Sequence, residues 1–238
     1  MSTIIENNIA KLQQRISLAE QRYQRDPNSV QLMAVSKTKP SQLIREAAKA
    51  GAYHIGENYL QEALEKIAQL SDLDLCWHFI GPIQSNKTRA IAESFDWVHG
   101  VDRLKIARRL NEQRPAGSKP LNICLQLNVN NETSKSGLSC EQAIALAAQV
   151  SEFANLRLRG LMAIPEACDS ETQQRANFAR VRECLSTLQF SYSKLYPKLD
   201  TLSIGMSKDM EAAIAEGSTM VRIGTDIFGA RTPQIPHQ

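Results

Sequence analysis

Short apolar runs alternate with longer amphipathic stretches along most of the chain. The apolar runs predict eight β-strands, at 32–35, 53–55, 76–80, 97–99, 122–129, 157–162, 201–204 and 220–223. The stretches between them predict helices at 40–50, 57–70, 86–93, 102–113, 139–152, 171–189 and 207–216. Pro40 fits a first helical position, and Gly51 and Gly217 stand where helix C-caps are expected. Strands that alternate with helices favour parallel pairing through crossover helices.

Eight strand–helix units in a chain of 238 residues predict an α/β fold, a single closed (β/α)8 TIM barrel. An open doubly wound sheet is the alternative, but no Gly-x-Gly-x-x-Gly turn follows the first strand. Residues 1–25 have apolar positions at helical spacing and predict an extra N-terminal helix that packs on the barrel. We expect one domain over 1–238, with a loose tail at 232–238.

Composition excludes several classes of function. The net charge of +3 is too small to argue for nucleic-acid binding without a known motif. Five scattered cysteines without a Cys-x-x-Cys pair predict neither a disulfide framework nor a zinc site, which favours a reducing cytoplasm. The amino terminus is charged throughout and is no signal peptide, and no stretch approaches the length of a membrane span.

Lys37 is the first candidate for chemistry, because it directly follows the apolar run 32–35. At the carboxyl end of a buried strand its amine would stand at a pocket mouth. Desolvation there disfavours the ammonium form and leaves an amine that can form a Schiff base with an aldehyde. The alternative is an ordinary lysine that extends from the end of a strand into solvent.

Barrel closure would bring the first strand beside the eighth, and therefore Lys37 beside the segment 222–225. Gly205 precedes the predicted helix 207–216, whose N-cap we assign to Ser207. Glycine lets backbone approach closely, a helix start attracts anions, and loops seven and eight of this fold often bind phosphate. Simple strand-to-helix turns use the same residue types and remain an alternative.

An aldehyde-reactive lysine beside a phosphate site suggests pyridoxal 5′-phosphate as the cofactor. Arg222 supports this hypothesis, because a guanidinium facing the pyridine nitrogen would keep that nitrogen unprotonated and the ring a poor electron sink. A salt bridge at the barrel rim is the alternative role for Arg222.

Several longer motifs resemble one known family. They are Ala-Val-Ser-Lys-Thr-Lys-Pro at 34–40, Gly-Glu-Asn-Tyr-Leu-Gln-Glu at 56–62, Trp-His-Phe-Ile-Gly-Pro-Ile-Gln-Ser-Asn-Lys at 77–87, Ser-Lys-Ser-Gly at 134–137, Arg-Gly-Leu-Met-Ala-Ile-Pro at 159–165, and the segments 203–210 and 217–231. Over nearly its whole length the chain resembles the pyridoxal phosphate homeostasis protein family, which is similar to the N-terminal barrel domain of alanine racemase.

The resemblance implies a cofactor site on the loops after the strands. It implies Lys37 as the Schiff-base lysine and Arg222 at the pyridine nitrogen. The remaining implied residues are Ser207, Gly224 and Thr225 around the phosphate, and Asn58, Ser203 and Met206 lining the pocket.

We interpret the chain as a cofactor carrier rather than an enzyme. A racemase needs an acid/base group on each face of the substrate carbon. In alanine racemase the second group is a tyrosine supplied through a further β domain, for which this chain leaves no room. Tyr53, Tyr59, Tyr192 and Tyr196 are expected to have packing roles. The expected function is to hold pyridoxal 5′-phosphate, buffer it and deliver it to apo-enzymes, with indirect effects on amino-acid and keto-acid pools.

Other functions remain open at this point. They are a vestigial racemase or decarboxylase, a Schiff-base aldolase, and a nucleic-acid or scaffold protein. We expect a monomer that contacts neither nucleic acid nor membrane.

Further residues have weaker assignments. Lys135 would stand on the same barrel face as a secondary amine or as a solvated loop lysine. His54, His78 and His99 lack ligand spacing, so core or rim roles are favoured over metal or acid/base roles. A positive field at the mouth is predicted from Lys39, Lys87, Arg89, Lys208 and Arg231.

Overall fold

The fold is a closed barrel of eight parallel strands, in a computed structural model that describes residues 3–130 and 136–230. The strands are β1 (Gln31–Val35), β2 (His54–Glu57), β3 (Cys76–Phe79), β4 (Trp97–Val101), β5 (Leu121–Leu127), β6 (Leu156–Ala163), β7 (Thr201–Ser203) and β8 (Met220–Ile223). Each strand pairs with the next, and β1 pairs with β8. The predicted TIM barrel is confirmed, and the open sheet is excluded.

Helices follow the strands and cover the barrel. They are α1 (Ile4–Arg22), α2 (Ser41–Lys49), α3 (Leu60–Gln69), α4 (Thr88–Ser94), α5 (Leu104–Gln113), α6 (Cys140–Val150), α7 (Glu171–Tyr192), α8 (Met210–Ala215) and α9 (Thr225–Phe228), with a 3-10 turn at Ser85–Lys87 before α4. The short helix α9 has no counterpart in the sequence prediction. Within the described ranges, no helix is both long and apolar enough to span a membrane.

Helix α1 packs on the barrel side formed by α2, α8 and α9, as its apolar spacing predicts. A capping box starts it, because Thr3 and Glu6 exchange hydrogen bonds. At its other end the buried carboxylate of Glu20 accepts hydrogen bonds from the backbone N–H groups of Asn28 and Val30. Both the helix and the connection to β1 are thereby fixed.

Three helix boundaries test the cap predictions. Gly51 and Gly217 follow α2 and α8 with φ values of +88° and +95°, the left-handed conformation that ends helices and suits glycine. The assignment of Pro40 to the first helical position is wrong. Pro40 has extended ψ of 153° and is the N-cap, so α2 begins one residue later.

A disulfide corrects the cysteine prediction. Cys140 and Cys184 are bonded, with their Cα atoms 5.7 Å apart. They lie on α6 and α7, which are adjacent around the barrel, so a pair separated by 44 positions meets. Such a pair depends on which helix faces oppose each other, and sequence spacing carries no sign of it.

Candidate functional site

Barrel closure places Lys37 beside the end of β8, as predicted. Strands β1 and β8 are parallel, and Met33 is opposite Arg222 in their register. Lys37 follows the end of β1 and is half-buried. Gly224 follows the end of β8, and a Cβ atom on it would lie 3.2 Å from the carbonyl oxygen of Val35. Glycine therefore permits the close approach of the two loops.

A buried ion pair between Glu57 and Lys66 is hydrogen-bonded to Ser36, which begins the loop after β1. The hydroxyl of Ser36 donates to Glu57 Oε1 at 2.5 Å, and Lys66 Nζ donates to the same oxygen at 2.7 Å and to the Ser36 carbonyl at 2.8 Å. Burial raises the pKa of Glu57, and the hydrogen bonds from Lys66 and Ser36 oppose that shift. Helix α3 is thus tied to the residue that precedes Lys37.

The same network reaches the other side of Lys37. Glu62 accepts hydrogen bonds from Lys66 Nζ at 2.5 Å and from the backbone N–H of Thr38 at 2.6 Å. Thr38 has φ of +63°, a left-handed conformation that is uncommon for a β-branched residue. Residues on both sides of Lys37 are therefore fixed, and the sequence analysis did not include this network.

Arg222 lies inside the barrel at the same end. Its Nη1 donates to the backbone carbonyl of Ser203 and to Ser203 Oγ at 3.0 Å, and its Nη2 donates to the carbonyl of Ala163 at 3.0 Å. Burial lowers the pKa of Arg222 to about 10, with Asp209 acting in the opposite direction, so it stays protonated at neutral pH. Within the described residues no carboxylate is ion-paired with it, so the rim salt bridge is not formed.

The loop after β7 differs from its prediction. Helix α8 begins at Met210, and Ser207 lies in a turn before it, so the assignment of Ser207 as N-cap is wrong. The physical reason is Asp209, whose Oδ1 accepts the backbone N–H of Met206 at 2.6 Å and closes the turn. Burial raises the pKa of Asp209, and the bond from Met206 opposes that shift.

Asn58 lies in the turn between β2 and α3, and not in a helix as the sequence suggested. Because Val35 is opposite Gly56, Asn58 stands at the level of Lys37 on the neighbouring strand end. Its Oδ1 is buried and has no hydrogen-bond partner within the described ranges. A buried amide oxygen without a partner is destabilising unless a ligand or water satisfies it, which fits a binding site.

Comparisons with known proteins identify the family. The family model for the alanine racemase N-terminal domain matches residues 7–232. The pyridoxal phosphate homeostasis protein of Pseudomonas aeruginosa is 62% identical over 231 residues, which are 97% of this chain and 97% of that protein. The chain belongs to the pyridoxal phosphate homeostasis protein family.

Two solved structures extend the comparison. PipY of Synechococcus elongatus, solved with pyridoxal phosphate bound, is 39% identical with a TM-score of 0.82 and covers 94% of this chain and all of that one. Alanine racemase of Corynebacterium glutamicum is 16% identical with a TM-score of 0.68, over 98% of this chain and 62% of that one, and shows a shared fold.

Some residues that the sequence analysis assigned to the site or its mouth make contacts that were not predicted, or lie outside the described residues. Lys135 and Arg231 lie outside the described residues. Lys39 donates from Nζ to the carbonyl of Ala230 at 2.7 Å, so it ties the β1 loop to the segment after α9. Met206 is 37% exposed on the β7 loop.

A column of histidines inside the barrel was also missed. His54 Nδ1 lies 2.9 Å from His78 Nε2, His78 Nδ1 lies 2.9 Å from His99 Nε2, and His99 Nδ1 lies 3.0 Å from Ser203 Oγ. Burial, with the charge of Arg222 as the next cause, lowers the pKa of His99 to about 3. Burial also lowers the pKa of His78 well below its ordinary range, so these rings are neutral.

Every donor of this column has an acceptor when all of its hydrogen bonds are donated in one direction, from Ser203 toward His54. Ser203 Oγ accepts from Arg222, so its own hydrogen is available for His99 Nδ1. His99 then carries its hydrogen on Nε2 and donates to His78, which in turn donates from Nε2 to His54. The histidines thereby connect Arg222 to the amino ends of the strands.

Proposed function

We propose that this chain binds pyridoxal 5′-phosphate reversibly through Lys37 and acts as a carrier that buffers the cofactor and delivers it to apo-enzymes. The observation that carries the proposal is the β1–β8 pairing: half-buried Lys37 and Gly224 follow the paired strand ends, and the buried guanidinium of Arg222 belongs to β8. The named relatives and the pyridoxal phosphate bound to PipY support it.

The residues present fit the cofactor. Lys37 would hold it by adding a neutral amine to the aldehyde carbon, with loss of one water. The unpartnered Oδ1 of Asn58 supplies a polar contact, and Gly224 leaves room for a close approach of the phosphate. We assign Ser207 and Thr225 to the phosphate, and Ser203 and Met206 to the pocket wall.

Arg222 decides which chemistry the site favours. When bound, the cofactor supplies an aldehyde and a conjugated ring that withdraws electrons best when its nitrogen is protonated. A guanidinium held by Ser203 and Ala163 cannot accept a proton and can only donate a hydrogen bond to that nitrogen. Retention of the aldehyde is thereby favoured over carbanion chemistry.

The tyrosines support a carrier over a racemase. The hydroxyls of Tyr192 and Tyr196 donate to the carbonyls of Ile144 and Ala147, where they join α7 to α6. Tyr59 is 51% exposed beside Asn58 and is the tyrosine to test. Racemization by the purified protein that is abolished by both Lys37→Ala and Tyr59→Phe would refute the carrier function.

Borohydride reduction tests the binding site directly. The protein is mixed with pyridoxal 5′-phosphate, reduced, digested and analysed by mass spectrometry. We expect visible imine absorbance and one label on Lys37, with both lost in Lys37→Ala and retained in Lys49→Ala, a change on the exposed face of α2. A label elsewhere with Lys37 unmodified would contradict the proposal.

Delivery is tested by mixing the loaded protein with an apo-enzyme that depends on pyridoxal 5′-phosphate. We expect the apo-enzyme to regain activity as the imine absorbance of the carrier falls. An unchanged spectrum after full incubation would contradict a carrier function while leaving cofactor binding intact.

A further inference from the structure

A second cluster of chemically active side chains lies at the opposite end of the barrel from Lys37. His54 is the first residue of β2 and Cys76 the first residue of β3, and the two are opposite each other in the register. His78 is two residues after Cys76 and projects to the same side of β3. His54 and Cys76 are half-buried, and His78 is buried.

The three side chains form a compact donor set. Their ligand atoms all lie within 4.8 Å of one another, and His54 Nδ1 is 2.9 Å from His78 Nε2. Tetrahedral Zn²⁺ with ordinary bond lengths separates two nitrogens by about 3.3 Å and a nitrogen and a sulfur by about 3.6 Å. To hold an ion, the two rings would separate by about 0.4 Å, and the Cys76 sulfur would approach the nitrogens by up to about 1.2 Å.

We propose that His54, Cys76 and His78 bind one divalent cation of borderline softness, Zn²⁺ in the first place, with solvent in the fourth position. Two imidazoles and a thiolate are the ligands that select such ions over Mg²⁺ and Ca²⁺. Partial exposure of His54 and Cys76 gives solvent a path to the ion. The site joins the starts of two neighbouring strands.

The surroundings of the cluster resemble those of metal ligands. His78 is hydrogen-bonded through its other ring nitrogen to His99, and a bond on the nitrogen away from the ion orients the ring of a metal-binding histidine. The Asp96 carboxylate is held at the start of β3, where its Oδ2 accepts the backbone N–H of Trp77 at 2.8 Å. Burial and, after it, the charge of Asp96 raise the pKa of the Cys76 thiol to about 12, so the thiol gives up its proton only when an ion takes its place. A negative charge at this position favours a cation.

Ion binding would reverse the direction of the histidine column. The ion needs lone pairs on His54 Nδ1 and His78 Nε2, so His78 must carry its hydrogen on Nδ1 and donate to His99 Nε2. His99 then carries its hydrogen on Nδ1 and donates to Ser203. Each imidazole keeps one proton, and the Cys76 thiol releases one proton to solvent for each ion bound.

Cobalt(II) is the spectroscopic probe for the donor set. We expect one Co²⁺ per chain, a thiolate-to-cobalt band in the near ultraviolet, intense visible bands of a tetrahedral ion, and displacement by Zn²⁺. Cys76→Ser should remove the thiolate band, and His54→Gln should weaken Co²⁺ binding at least tenfold. Cys168→Ser, on the connection between β6 and α7, is the matched control and should change neither. Circular dichroism checks that each variant is folded.

Histidine NMR of the wild-type protein gives a test that needs no variant. Nitrogen-15 spectra should place hydrogen on Nε2 of His78 and His99 without metal and on Nδ1 of both with Zn²⁺. Weak octahedral cobalt bands without a thiolate band, bands that survive Cys76→Ser, or tautomers that do not change with Zn²⁺ would each overturn the proposal. None of these measurements involves Lys37 or pyridoxal 5′-phosphate.

Discussion

Lys66 is the cation of the buried ion pair behind the β1 loop, and its removal should be strongly destabilising. Its side chain is 6% exposed and that of Glu57 is fully buried. In Lys66→Met the apolar stem remains, but Glu57 keeps only the hydroxyl of Ser36 as a partner for Oε1. Removing one member of a buried pair typically costs about 3–5 kcal/mol, because the other charge is left uncompensated.

The pH dependence of this loss can be worked out from Glu57. Without Lys66, burial should keep the carboxyl protonated in the folded state. Against the ordinary pKa of 4.5, holding that proton costs about 3.4 kcal/mol at pH 7 and about 0.7 kcal/mol at pH 5, at 1.36 kcal/mol per pH unit. The folded variant then binds more protons than the unfolded chain, so its stability falls as pH rises between 5 and 7.

Urea unfolding of Lys66→Met at pH 7 and pH 5 measures both effects. We expect a loss of about 3–5 kcal/mol at pH 7 that shrinks by at least half at pH 5. Adding Glu57→Gln should recover part of the loss at pH 7, because the amide carries no charge. Arg45→Met breaks the exposed pair with Asp72 and should cost no more than about 1 kcal/mol. A loss below 1 kcal/mol for Lys66→Met, or the same loss at both pH values, would refute the reasoning.

Three further predictions concern single sites. Gly205→Ala places a Cβ atom 2.6 Å from a Cβ atom of α8 at φ of +95°, so the variant should lose about 2–4 kcal/mol of stability in urea unfolding. Gly117→Ala, which has open space around it, should lose only about 1 kcal/mol. Reduction of the Cys140–Cys184 disulfide, which closes a loop of 44 residues, should lower stability by up to about 4 kcal/mol, and Cys140→Ser should remove that sensitivity to reductant. Burial raises the pKa of Cys124 to about 12, so iodoacetamide at pH 8 should label it only after denaturation; labelling of the native protein would contradict the buried position.

The barrel and the position of Lys37 could be predicted because both follow from the order of elements. Alternating strands and helices determine parallel pairing, and eight of them determine closure. Once β1 and β8 are neighbours, residues after their last positions must meet, whatever the side chains are. The position of Lys37 beside Gly224 needed no knowledge of rotamers or hydrogen bonds.

The polar networks could not be predicted because they depend on register and on competing local bonds. Ser207 has the residue type of an N-cap, but the carboxylate of Asp209 closes a turn two residues later and delays the helix. Glu57 and Lys66 resemble ordinary surface charges of a helical segment. Only the extension of β2 to Glu57 turns that carboxylate toward α3 and buries it.

The three histidines form a column because they lie on a diagonal path across the neighbouring strands β2, β3 and β4. His54 is opposite Cys76, and His78 stands two residues further along β3. His78 is in turn opposite Trp97, and His99 stands two residues further along β4. Each step therefore rises by about 6.6 Å toward the carboxyl ends of the strands, where the third histidine meets Ser203.

A neutral histidine column of this kind can change its state only through the positions of its hydrogens on the ring nitrogens. Burial and the guanidinium of Arg222 disfavour a charge on His99, so this ring stays neutral near neutral pH. The column's remaining freedom is the choice between two directions of donation. The direction in which Ser203 donates to His99 is favoured, because it gives the Ser203 hydrogen an acceptor while the oxygen accepts from Arg222. A group that uses the lone pairs of His54 and His78 at the amino ends reverses this direction, and Ser203 Oγ then accepts from both His99 and Arg222 at the carboxyl ends.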